Sequence, residues 1–75
     1  MTKRFKDGDK VFVEWSWPAK RVIEGEIMYK EDKQYYRVRL VPSQPDYAGN
    51  KVEDDLWTPD FIWRSKKKAL ENLRK

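Results

Sequence analysis

The most restrictive feature of this chain is that its 75 residues include neither cysteine nor histidine. Disulfides, thiolate metal sites and imidazole ligands are therefore excluded, although domains of this size often depend on such devices. Packing alone must hold the fold, and the apolar material for it is four Trp, four Tyr and three Phe. A fully buried phenylalanine contributes about 1.5–3 kcal/mol, so a few large side chains are sufficient for one small core.

The first half of the chain alternates apolar and polar residues, which predicts strands. We expect these strands at residues 10–15, 21–29 and 34–41, the last two forming a hairpin. Residues 16–20 should form a loop, because Pro18 lacks a backbone donor and restricts the residue before it. Gly25 lies in the middle of the second strand and predicts a bulge or a sharp bend.

The second half of the chain predicts shorter elements. Residues 42–50 are rich in turn-forming types and are expected to form a long loop. A short acidic strand should follow at residues 52–57, and a brief last strand at residues 61–63. Ser65 is a good N-cap for a helix over residues 66–75, in which Ala69, Leu70 and Leu73 share one face.

Short strands followed by a single terminal helix favour a compact antiparallel barrel over a sandwich. We predict a mainly β fold, an SH3-like antiparallel small barrel of about five strands with a short C-terminal α-helix. The whole chain, residues 1–75, should be one domain, with the barrel at about residues 8–63 and the helix at about residues 65–74.

Three segments resemble the SH3-like and Tudor-like barrels: GDKVFV at residues 8–13, IEGEI at 23–27 and YYRVRL at 35–40. The tail, from residue 54 to residue 73, is similar to the end of many small uncharacterised bacterial and phage proteins. Those proteins tend to place glutamates where this chain has Lys66, Lys67 and Lys68. The resemblance implies a binding module and carries no defined activity.

Catalysis is the function class that the composition favours least. The carboxylates of Glu53, Asp54 and Asp55 are the main candidates, but neighbouring residues on a strand point to opposite faces. Only Glu53 and Asp55 would converge, and a charged sheet edge explains them equally well. We expect a protein that is not an enzyme and that uses no metal or cofactor.

Neither a membrane span nor a signal peptide is expected. No stretch approaches the roughly 20 apolar residues of a span, and residues 1–7 contain no apolar run. We therefore expect a cytoplasmic protein.

One candidate binding surface is the strand face formed by Tyr35, Arg37 and Arg39. Two guanidinium groups about 7 Å apart beside an aromatic ring are suited to phosphates and stacked bases. The alternative is that both arginines pair with Glu24 and Glu26 on the neighbouring strand and need no ligand.

A second candidate is Lys66, Lys67 and Lys68, in the first turn of the predicted helix. Cations are unfavourable there because the helix dipole is positive at this end. A phosphate from a partner would offset that cost. Internal partners are the alternative: the acidic groups at positions 54, 55 and 60, or Glu71 one turn along the helix.

A third candidate is a pair of aromatic residues in loops, Trp17 and Tyr47. Together they would suit a peptide, a methylated side chain or a base, whereas the alternative is a hydrophobic cover over one end of the barrel.

Two functional hypotheses follow. The first is nucleic-acid binding through the strand face and the helix start. The second is a protein-interaction or regulatory module that uses Trp17, Tyr47 and a sheet edge, with self-association as a variant. Charge is unevenly distributed, with a net of +3 over residues 1–39, −4 over residues 40–63 and +5 over residues 64–75. The acidic middle segment would repel a nucleic-acid backbone.

Overall fold

The computed structural model describes residues 4–74 as five strands and one helix. The elements are β1 (Lys10–Trp15), β2 (Arg21–Lys30), β3 (Tyr36–Pro45), β4 (Lys51–Trp57), β5 (Ile62–Trp63) and α1 (Lys66–Leu73), with a 3-10 turn at Pro59–Phe61. The expected mainly β fold with a C-terminal helix is confirmed. Residues 1–3, part of the segment expected to contain no signal peptide, and Lys75, the expected helix end, lie outside the described residues.

The strands form one antiparallel sheet in the order β4-β3-β2-β1-β5. Within residues 4–74 no ladder joins β4 to β5, so the sheet is curved but is not the closed barrel predicted from sequence. The physical reason is the length of β5, whose two residues pair with Phe12 and Val13 of β1 and extend no further. The result is a small barrel-like fold with β4 and β5 at opposite edges.

The concave face of the sheet contains the core. Alternation places Val11 and Val13 on this face, and on β3 it selects Tyr36, Val38 and Leu40 in the same way, as the pattern predicts. The core is completed by Phe5, Ile23, Ile27 and Ile62. Phe5 packs edge-to-face on Tyr36, with ring centroids 5.4 Å apart, and its backbone N–H donates to the Tyr36 hydroxyl at 3.2 Å.

Gly25 allows two strands to approach closely and is not the site of the bulge. A Cβ atom here would lie 2.6 Å from Cγ1 of Val38 and 2.9 Å from the carbonyl oxygen of Arg39. The bulge lies at Met28, where the register of β2 against β3 shifts. The extra residue shifts the alternation of buried and exposed side chains along β2, so Tyr29 lies outside the core and is exposed.

The prediction of a long loop at residues 42–50 is wrong for residues 42–45, because β3 continues to Pro45. Pro42 is tolerated in this strand because the pairing of β3 is interrupted around it. The ladder with β2 ends at Leu40, and the register with β4 shifts between Arg39 and Gln44. The missing N–H of Pro42 therefore removes no ladder hydrogen bond. The loop that remains is residues 46–50.

Helix α1 begins after Ser65, whose hydroxyl accepts a hydrogen bond from the backbone N–H of Lys68 at 3.4 Å, as the predicted N-cap requires. The helix packs mainly against β1, β2 and β5. Ala69, a residue of this helix that does not belong to the core cluster, is buried. Leu70 and Leu73 are half-buried. No helix in the described part of the chain is long and apolar enough to cross a membrane.

Candidate functional site

An aromatic groove lies where the C-terminal ends of β1 and β4 meet the loops at residues 16–20 and 46–50. Its volume is about 350 Å³. We define the aromatic groove by four aromatic and three acidic residues that line it: Trp15, Trp17, Tyr47, Trp57, Glu14, Asp46 and Asp55. The two aromatic residues singled out from sequence, Trp17 and Tyr47, are therefore brought together.

Two tryptophans form the fixed wall of the aromatic groove. The indole N–H of Trp15 donates to the carbonyl oxygen of Pro45 at 2.9 Å, across the curve of the sheet. The ring of Trp57 lies against it, with centroids 6.2 Å apart and planes inclined by 55°. Both side chains are half-buried and pack on the core, so their exposed surfaces are held in place.

Two exposed aromatic side chains in anchored loops also line the aromatic groove. Trp17 is 46% exposed and Tyr47 is 84% exposed. The backbone carbonyl of Trp17 accepts a hydrogen bond from Arg21 at 2.7 Å, and Arg21 also bonds the side chain of Gln44. These contacts fix the loop of Trp17 while its ring stays available to a ligand.

The loop of Tyr47 is fixed by the carboxylate of Asp46. This carboxylate accepts hydrogen bonds from the backbone N–H groups of Ala48 and Asn50, both at 2.9 Å. Gly49 completes the turn with a φ of +84°, a conformation that glycine adopts at little cost. The backbone conformation around Tyr47 is therefore already fixed before a ligand binds.

The three carboxylates of the aromatic groove have no basic partner among residues 4–74. The ion pairs in the described chain involve other acidic groups. Among the described residues, the carboxylate of Asp55 accepts a hydrogen bond from the N–H of the next residue, Leu56, at 2.8 Å and from no other donor. Uncompensated negative charge beside aromatic faces is the environment that attracts an organic cation.

The strand face predicted from sequence is already occupied by internal ion pairs. Arg37 contacts Glu31 at 2.8 Å and Asp54 at 2.7 Å. Hydrogen bonds to Glu31 first, and then to Asp54, raise the pKa of Arg37 above its ordinary value. These partners differ from the Glu24 and Glu26 of the sequence-based alternative.

The other members of the strand face are exposed but lie among acidic groups. Arg39 has no ion pair within residues 4–74, and it stands opposite Glu26 on one neighbouring strand and Asp54 on the other. Tyr35 precedes β3, in a turn whose N–H groups donate to Asp32. The structure therefore does not assemble an open basic face from Tyr35, Arg37 and Arg39.

The helix-start lysines, Lys66, Lys67 and Lys68, are exposed and have no ion pair in the described part of the chain. The proposed internal partners at positions 54 and 55 belong to β4, at the far edge of the sheet from the strands against which α1 mainly packs. Within residues 4–74, Asp60 and Glu71 form no ion pair with these lysines either.

Two members of the aromatic groove, Trp15 and Trp57, are not singled out by the sequence pattern, which favours them as core residues. Their positions at the ends of strands were the available signal, because a side chain at a strand end borders both the core and the loops. No protein-family model, curated protein or solved structure matches this chain. Within residues 4–74, no group of three or more acidic residues is placed to hold a metal ion.

Proposed function

We propose that this chain is a non-enzymatic protein-interaction module, and that its aromatic groove binds a basic, extended segment of a partner protein. The observation that carries the proposal is the convergence of Trp17 and Tyr47 on one concave surface with three carboxylates that form no ion pair within residues 4–74. The proposal is therefore based on a formed site rather than on net charge.

The chemistry of the aromatic groove favours lysine or arginine side chains over neutral ones. Their aliphatic stems can lie on the fixed wall of Trp15 and Trp57, while the charged end faces an aromatic ring. The carboxylates of Glu14 and Asp55 then supply long-range attraction, which raises the association rate. A volume of about 350 Å³ accommodates one or two side chains, not a folded domain.

The relation to SH3-like and Tudor-like barrels is part of this proposal. Its support is the arrangement of five antiparallel strands, with a close approach of β2 and β3 at Gly25 and a helix at the C-terminus. Fold alone assigns no ligand, so the argument for binding depends on the aromatic groove.

Calorimetric titration with two synthetic peptides tests the proposal. One peptide alternates arginine with glycine and serine, and the other replaces each arginine by glutamine. We expect the arginine peptide to bind and the glutamine peptide not to bind. Equal affinity for the two peptides, or binding of neither, would contradict the proposal.

Matched tyrosine variants locate the site. Tyr47→Ala should weaken the arginine peptide by about two- to thirtyfold, the range of one cation–π contact. Tyr29→Ala, another exposed tyrosine outside the groove, should leave affinity unchanged. Circular dichroism of both variants confirms that they remain folded. The same loss in both variants would place the binding elsewhere.

A further inference from the structure

The domain carries opposite charges at the two ends of β1. The aromatic groove lies at the Trp15 end, and basic side chains gather beyond the Lys10 end, about 17 Å away along the strand. We define the basic surface as Arg4, Lys6, Arg64 and the helix-start lysines. One shallow concavity is lined by Arg4, Lys6 and Arg64, and an adjoining one by Arg64 and Lys68.

Arg64 joins the two parts of the basic surface. Its guanidinium donates to Asp9 at 3.1 Å and to the backbone carbonyl of Arg4 at 2.5 Å, and it lies 4.7 Å above the ring of Phe5. These contacts hold the segment before β1 against the start of α1. Asp9, the acidic residue that lines this concavity, is paired with Arg64, and no ion pair within residues 4–74 involves Arg4 or Lys6.

The helix-start lysines occupy a position where the helix dipole disfavours cations. Within residues 4–74 no carboxylate is paired with them. The protein therefore carries an electrostatic cost that its own described residues do not offset. An external polyanion would offset it.

An exposed aromatic side chain adjoins the basic surface. Phe61 is 57% exposed and packs edge-to-face with Trp63, at 6.5 Å between ring centroids. Trp63 in turn lines the same concavity as Arg64 and Lys68. Phe61 is therefore connected to the basic surface through the ring of Trp63.

We propose that the basic surface and Phe61 together bind single-stranded nucleic acid. Cations beside an exposed aromatic ring match a chain of phosphates with unstacked bases, whereas a duplex keeps its bases inside the helix. This site is separate from the aromatic groove, so the two proposals can fail independently.

Fluorescence anisotropy with a labelled 20-nucleotide oligothymidine tests the proposal at several KCl concentrations. We expect binding that weakens as salt rises, and weaker binding of a 20-base-pair duplex. Lys67→Gln/Lys68→Gln should reduce the slope of log affinity against log salt by about 1.4, or about 0.7 for each lost phosphate contact. The matched control, Lys20→Gln/Lys33→Gln, removes two exposed loop lysines and should leave the slope unchanged.

The contribution of stacking is tested with Phe61→Ala. This variant should weaken oligothymidine binding by about five- to 150-fold at every salt concentration, as expected for loss of one stacked base. Trp17→Ala should leave this affinity unchanged. Three outcomes would overturn the proposal. They are no binding at low salt, about 20 mM KCl, equal affinity for the duplex, and an unchanged affinity of the Phe61→Ala variant.

Discussion

The indole N–H of Trp15 donates a hydrogen bond to the carbonyl oxygen of Pro45, 2.9 Å away in space and thirty residues along the chain. This contact ties the end of β1 to the end of β3 and holds one wall of the aromatic groove. The neighbouring Trp57 packs beside it and makes no comparable hydrogen bond within residues 4–74.

Replacing each tryptophan by phenylalanine separates this hydrogen bond from packing. Trp15→Phe and Trp57→Phe remove similar aromatic area, but only the first also removes the donor to Pro45. We expect Trp15→Phe to lower the free energy of unfolding by about 1 kcal/mol more than Trp57→Phe, measured by urea denaturation. Equal losses would show that the hydrogen bond contributes nothing net.

Alanine at position 25 should destabilise the sheet. The new Cβ would overlap Val38 and the carbonyl oxygen of Arg39, and overpacking of this kind costs about 1–3 kcal/mol. Urea denaturation of Gly25→Ala, Val38→Ala and the double variant measures the coupling. We expect the double variant to be more stable than the sum of the single losses predicts, because the smaller side chain relieves part of the overlap.

Gly49→Ala is the control for this cycle. Its Cβ would meet nothing within 4 Å, but its φ of +84° is strained for alanine. Its loss of stability should therefore add to that of Val38→Ala. Coupling of equal size at both glycines would contradict the steric explanation for Gly25.

Arg37→Gln should lower the thermal midpoint without weakening oligothymidine binding, because Arg37 is engaged with Glu31 and Asp54. The difference in midpoint from the wild type should shrink in 1 M KCl, since salt screens charge pairs. Calorimetry and anisotropy measure the two effects. Loss of nucleic-acid affinity in a folded Arg37→Gln protein would return the strand face to the candidate sites.

Stability should depend on the charge of Asp9 at acid pH. A hydrogen bond from the backbone N–H of Lys6, followed by the contact with Arg64, lowers the pKa of Asp9. Its contribution is therefore fully present above the unfolded pKa of about 3.9 and is lost as pH falls through the lower folded value.

Asp9→Asn tests this dependence through thermal midpoints between pH 7 and pH 2. The variant should be less stable than the wild type at pH 7, and the difference should narrow below about pH 4. A difference that is constant across this range would mean that the side chain stabilises through shape and not through charge.

Lys68→Glu should increase stability and decrease nucleic-acid binding. A glutamate three residues after Ser65 completes a capping box and suits the helix dipole, which favours the helix by about 0.3–1 kcal/mol. Urea denaturation measures the first effect and anisotropy the second. If stability fell instead, the lysine would have a structural role and the uncompensated charge would need another explanation.

Local pattern was sufficient to predict most of the sheet. The alternation in residues 10–15 and in the segment containing Tyr36 and Val38 gives the correct buried face, because these strands are half-buried and have few interruptions. The prediction failed around Pro42, where residue types typical of loops lie inside a strand. The pairing of β3 with β2 and with β4 is interrupted there, and the local sequence does not show whether a neighbouring strand is paired.

The candidate sites were harder to predict, because they depend on contacts between residues that are distant in sequence. The pattern identified Trp17 and Tyr47 as loop aromatics, but the fixed wall of the groove depends on the contact between Trp15 and Trp57, which belong to different strands. The partners of Arg37 could not be predicted for a similar reason. Glu31 lies in a turn and Asp54 on β4, while the sequence offered two glutamates on the neighbouring strand that were equally plausible.

The close approach of β2 and β3 at Gly25 has a consequence for mutational surveys of this protein. Gly25 lies in β2, which pairs with both β1 and β3, the two strands whose ends are joined by the hydrogen bond from Trp15 to Pro45. A survey that scores only capture of a partner would group position 25 with the groove residues, although it touches no ligand. Gly25 does not line the aromatic groove, so a separate measure of folding is needed to distinguish damage to the sheet from loss of a ligand contact.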